Sequence, residues 1–132
     1  MDSLWMMGSL MIAGAMAHEG AHIMEARRRG GKWAGIRWKG LILSVVIDTT
    51  RLTTKDRRAI AWAGLLTDSL GLLVCTLWYS HTLAKLPIAG MIWFAASAAI
   101  NSCPFIPASD GWRLHYNQFG LKRTIQPENP AP

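Results

Sequence analysis

Charge is scarce in this chain: of 132 residues, 17% are Asp, Glu, Lys or Arg, against 51% that are apolar. So little polar sequence could not cover the apolar runs of an ordinary soluble domain, which argues against that class. Acid is scarcer than base, with 8 Asp and Glu against 14 Lys and Arg. The resulting net charge of +6 does not point to nucleic acid, because ten of the basic residues crowd between Arg27 and Arg58 and three more follow Asp110, with Lys85 alone between. The leading Met1-Asp2-Ser3 lacks the basic start of a signal peptide, so Ala15-Met16-Ala17 is not taken as a cleavage site. No internal repeat or second domain is visible. One domain over 1–123 is expected, followed by a disordered polar tail at 124–132.

The apolar residues are clustered. Leu4 to Ala17 carries no charge, Ala59 to Tyr79 carries a single carboxylate at Asp68, and Leu86 to Ile100 carries none. A helix rises about 1.5 Å per residue and a bilayer core is about 30 Å thick, so these runs predict three membrane helices over about 3–25, 54–80 and 85–103. The fold class is therefore mainly α and integral to a membrane. Basic residues stay on the cytoplasmic side, which puts the N-terminus outside, the 25–58 segment inside, Ser80 to Lys85 outside and the C-terminal segment inside. In that topology Cys75 and Cys103 sit near opposite faces of the bilayer, too far apart for a disulfide.

Between the first two helices Gly30-Gly31 breaks the run, and 32–47 is rich in β-branched and aromatic residues. It predicts a membrane-associated β-hairpin whose free edge can receive an extended peptide. Thr53 with Asp56 three residues on resembles a capping box opening the second helix. Asp68 is costly in lipid and should face the bundle as a polar contact between helices.

The chemistry lies in "HEGAH" at 18–22. His18 and His22 are one helical turn apart on one face, a spacing that lets both imidazoles hold one Zn²⁺ ion while Glu19 approaches its water. A catalytic zinc site keeps one position open and needs a third protein ligand. Glu25, Asp68, His81, Asp110 and His115 are the candidates. Glu25 shares the helix of the histidines and cannot easily close around the same ion, while His81 falls on the outer side. Asp110 emerges at the cytoplasmic end of the third helix, the end at which His18 and His22 stand. Zinc with two neutral imidazoles, Asp110 and Glu19 sums to zero formal charge, which lowers the cost of burial.

After the third helix comes "NSCPFIPASDG" at 101–111. Pro104 and Pro107 rule out a continuous helix, and irregular backbone at membrane depth is tolerated only beside protein or a water-filled cavity. In a polyproline-like segment Asn101, Pro104, Pro107 and Asp110, three residues apart, would share one face. HExxH followed by N-x-x-P-x-x-P-x-x-D-G resembles the site-2 protease family of intramembrane zinc metalloproteases, over about residues 4 to 112. The resemblance implies that His18, His22 and Asp110 bind the metal, that Glu19 is the base, and that Asn101 positions or polarises the scissile carbonyl. It implies a transmembrane segment of another protein as substrate. "AGLLTD" at 63–68 is similar to the family's A-G-P-x-x-N element, with Leu65 and Asp68 in place of the proline and asparagine. PDZ and CBS modules are missing, as is the H-x-x-G-x-x-H signature of a soluble zinc peptidase. The alternative function is a catalytically idle zinc-binding membrane protein that engages partners.

Overall fold

The computed structural model describes residues 2–39, 42–107 and 109–116. The tail expected to be disordered lies outside the described residues. The chain folds as helix α1 (Asp2–Arg28), an antiparallel hairpin of β1 (Lys32–Lys39) and β2 (Ile42–Asp48), helices α2 (Thr54–Thr82) and α3 (Lys85–Ser102), and a short helix α4 (Asp110–Tyr116). It is mainly helical with one small sheet, as expected, and the helix and hairpin boundaries follow the sequence within a few residues.

Each boundary has a local cause. α1 stops at a Schellman motif, in which the Gly31 amide reaches the Ala26 carbonyl (2.8 Å) and the Gly30 amide that of Arg27 (3.1 Å). The hairpin runs in register from Lys32↔Asp48 to Lys39↔Ile42, with an irregularity between Trp33 and Gly35. At α2 the expected capping box is present: the Thr53 side chain accepts from the Asp56 amide, and the Asp56 carboxylate accepts from the Thr53 amide. α2 ends where Leu83 turns left-handed, and α3 restarts from Ala84.

α2 packs against both α1 and α3, the hairpin lies over the end of α1, and α4 folds back onto α2 and α3. A compact apolar core of Ala26, Leu52 and Ile60, with Ile47 against it, fills the space beneath the hairpin. Elsewhere large apolar side chains face outward, among them Ile12 and Met16 on α1, Leu66, Leu70 and Leu73 on α2, and Ile92 on α3.

Two expectations are not met in full. Among the described helices only α2 is long and apolar enough to cross a membrane by length and composition, one of the three spans expected. α1 has 27 residues but carries His18, Glu19, His22 and Glu25, and α3 has 18, about 27 Å at the helical rise, with Lys85 and Asn101 near its ends. The segment after α3 is also not polyproline-like. It folds as successive turns, with the Ile106 amide on the Cys103 carbonyl (3.4 Å) and the Ser109 amide on that of Ile106 (3.1 Å). A proline's fixed φ suits such turns as well as it suits an extended helix.

Candidate metal centre

His18 and His22 project from one face of α1 toward α2 and are 7% and 4% exposed. Their rings meet edge to face with centroids 4.9 Å apart. Each Nδ1 has its own acceptor: Asp68 Oδ2 for His18, at 3.1 Å, and the Ile60 carbonyl for His22, at 2.7 Å. A carbonyl oxygen only accepts and an ionised carboxylate only accepts, so the proton of each neutral ring is assigned to Nδ1.

That assignment leaves two Nε2 lone pairs facing each other at 3.2 Å. Asp110 Oδ2 joins them, 3.2 Å from His22 Nε2 and 3.5 Å from His18 Nε2. This oxygen is buried and has no hydrogen-bond partner, and rings protonated on Nδ1 have no hydrogen to offer it. Three electron-rich atoms converge, and only a cation removes the repulsion. A proton on one Nε2 would serve a single pair, whereas a metal ion serves all three. Ligands about 2.0–2.1 Å from a tetrahedral ion lie about 3.3 Å from one another, close to the separations found here. The buried set His18, His22 and Asp110 therefore fits a metal ion.

Two local devices make room for the set. Gly64 of α2 faces the imidazoles, and a Cβ there would lie 2.5 Å from His22 Nε2 and 2.6 Å from His18 Cε1. Asp110 is presented by the start of α4, where the Ser109 hydroxyl accepts from the Trp112 amide (3.0 Å) and donates to the Cys103 carbonyl (2.7 Å). The first bond caps the helix and the second pins it to the turns after α3. Gly111 then lies so close to the Ser102 carbonyl that any side chain would collide with backbone.

The other candidate residues lie outside this three-residue cluster. Glu19 turns toward the hairpin, where its Oε2 accepts from the Val45 amide of β2 at 3.1 Å. The edge of β2 at Val45 thus lies against Glu19, which takes that amide. Asn101 is not one of the three clustered groups; its Nδ2 donates to Ser97 Oγ (3.2 Å), which in turn donates to Asp68 Oδ2 (2.8 Å). Glu25 is taken by Arg29 (2.6 Å) and Arg28 (3.7 Å). His81 is exposed in the last turn of α2, and His115, also exposed, stands on α4 outside the cluster.

Sequence reasoning did not assign the Ile60 carbonyl, Ser97 or Ser109. A backbone acceptor leaves no trace in side-chain identity. Ser97 and Ser109 carried a weak signal: one is a hydroxyl in an apolar helix, the other an N-cap residue directly before Asp110. No family model, curated protein or solved structure matches the chain.

Proposed function

We propose that the protein is a zinc-dependent intramembrane endopeptidase of the site-2 protease type, hydrolysing peptide bonds in or near transmembrane segments of other proteins. The observation that carries this reading is the convergence of His18 Nε2, His22 Nε2 and Asp110 Oδ2, with Glu19 directly following the first ligand on α1. Two histidines and one carboxylate, with a fourth position open, are the donor set of catalytic zinc. A membrane setting is supported by α2 and by the apolar side chains that face outward on α1, α2 and α3. Patches of that extent mark a lipid or protein contact surface. In this reading all three long helices span, the N-terminus is outside, and the centre lies toward the cytoplasmic side, the side of the basic residues between Arg27 and Arg58.

A metal ion held by His18, His22 and Asp110 would supply Lewis acidity, for a water and for the scissile carbonyl. Every other step belongs to the chain. An unwound stretch of substrate lies along this edge of β2 and pairs with outward backbone groups other than the Val45 amide, which Glu19 holds. That edge touches Glu19, so the extended substrate is held beside the base. Glu19 takes a proton from the attacking water as the carbon–oxygen bond forms, and delivers it to the amine nitrogen as the carbon–nitrogen bond breaks. Asn101 Nδ2 has one N–H engaged with Ser97 and a second to donate to the developing oxyanion.

The test pairs metal quantification with cleavage of a panel of transmembrane peptides by protein purified in detergent. Native protein should hold one zinc ion per chain and cleave. Glu19→Gln should hold the same zinc and lose about 10²- to 10⁴-fold in turnover, the usual worth of general-base help. Native cleavage by Glu19→Gln would end the mechanism, and zinc without cleavage of any peptide would favour the idle zinc-binding membrane protein.

A further inference from the structure

We infer that Asp68 is a positioning residue that ties the ligand His18 and the amide of Asn101 into one hydrogen-bonded unit through Ser97. The inference rests on the reading of His18 as a metal ligand. Asp68 is 1% exposed in the middle of the apolar helix α2, where an unpartnered carboxylate would be very costly. Its Oδ2 accepts two hydrogen bonds, from His18 Nδ1 of α1 at 3.1 Å and from Ser97 Oγ of α3 at 2.8 Å. The Ser97 hydroxyl has a single hydrogen. Having given it to Asp68, Ser97 offers a lone pair to Asn101 Nδ2, at 3.2 Å.

The chain of bonds therefore has a fixed direction, from Asn101 through Ser97 to Asp68, with His18 meeting it at the same oxygen. Asp68 does two things at once. It orients the His18 ring with Nε2 toward Asp110, as a carboxylate behind a ligating imidazole does. It also fixes which way the Asn101 amide faces, because turning the amide over would set its oxygen against a hydroxyl oxygen that has no hydrogen left to give. His22 has a different arrangement, since its Nδ1 is held by a backbone carbonyl that no substitution removes. Of the two histidines, His18 is the one whose ring alignment depends on a side chain.

The experiment uses the full chain in detergent, with Zn²⁺ or Co²⁺ alone as probes. Affinity is read by chelator competition and coordination geometry by the visible Co²⁺ spectrum. Asp68→Leu should weaken metal binding by about 10- to 100-fold, the usual effect of losing such a partner, and should shift the Co²⁺ bands. Asp68→Asn keeps an acceptor for His18 and should recover part of the affinity and the native band positions. Ser97→Ala leaves the His18–Asp68 bond in place and should change metal affinity by no more than about threefold, the worth of a weak hydrogen bond, yet lower kcat without raising KM. In an Asn101→Ala background the same change should have no further effect on kcat.

Native affinity and spectrum in Asp68→Leu, or an additive loss in the Ser97/Asn101 double variant, overturns the inference while leaving the metal reading intact. Native protein that takes up neither ion overturns both. Should Asp68→Leu fail to fold, the near-isosteric Asp68→Asn and Ser97→Ala decide the outcome by the same measurements.

Discussion

The two ends of the molecule are built on opposite plans. Beneath the hairpin the interior is apolar, with Ala26, Leu52 and Ile60 packed together, and the neighbouring surface is charged, with Arg29 bridging Glu25 (2.6 Å) and Asp56 (2.8 Å). Along the bundle the surface turns apolar, and polar groups share the interior with Leu65, Cys75 and Phe94. The buried side chains include His18, His22, Asp68 and Asp110, while Leu66, Leu70 and Leu73 face out. The first plan suits water and the second suits lipid, in which polar groups must find partners inside the protein. The change of plan falls at Ile60, whose side chain belongs to the apolar core and whose carbonyl holds His22. In the proposed setting the metal centre sits at the boundary, deep enough to exclude bulk water and near enough to the aqueous side to receive a water molecule.

The largest effect expected from breaking this arrangement is at the polar interior. Asp110→Ala removes the only carboxylate among the three clustered groups and leaves two lone pairs facing each other. Stoichiometric zinc should be lost after dialysis, measured by elemental analysis. Retention of one zinc per chain would mean that Asp110 is not a ligand.

Next comes the apolar core at the hairpin end. Ile60→Ala should cost about 2–5 kcal/mol of stability in chemical denaturation, the range for cavities of that size. It keeps the backbone carbonyl that holds His22, so metal affinity in the folded protein should be unchanged. A parallel loss of affinity would show that the core and the metal centre are not separable.

The outward surface gives the most discriminating measurement. Leu70 is 61% exposed near the middle of α2. Were that surface wet, Leu70→Arg would change stability by no more than about 0.5 kcal/mol. Facing lipid, it should cost about 2.5–3.5 kcal/mol of insertion free energy, read as the fraction of α2 that enters membranes in a translocation assay. Normal insertion of the variant would contradict the lipid-facing reading of the bundle.

How much of this was legible in the sequence follows from the reach of each signal. The i, i+4 pair of histidines is a local signal, because the helix alone fixes which face both rings share. Asp110 was legible through loop charge, ligand chemistry and the motif around it. The partnership of Asp68 was legible only in kind: a carboxylate in an apolar helix announces a polar contact, but whether it meets His18, Ser97 or both depends on how three helices pack. Clearance at Gly64 depends on that packing too. The turns after α3 were misjudged because proline restricts φ without choosing between an extended run and a turn. α4 escaped notice because its seven residues are too few to show a periodicity, although Ser109 carried the cap signal.

The smallest effect belongs to the charged surface at the hairpin end, where the capping box opens α2. Thr53→Ala removes the hydroxyl that accepts from the Asp56 amide (3.2 Å) and donates to the Asp56 carboxylate (2.6 Å). The cost should be about 1 kcal/mol, the usual value for a lost N-cap, measured by denaturation in detergent. Thr53→Ser keeps the hydroxyl and should lose only a fraction of that. Neither change should alter zinc content, because Thr53 stands seven residues before Ile60 on the exposed side of the helix start. Zinc loss in Thr53→Ala would mean that the end of α2 and the metal centre move as one unit, and would erase the distinction between the two plans.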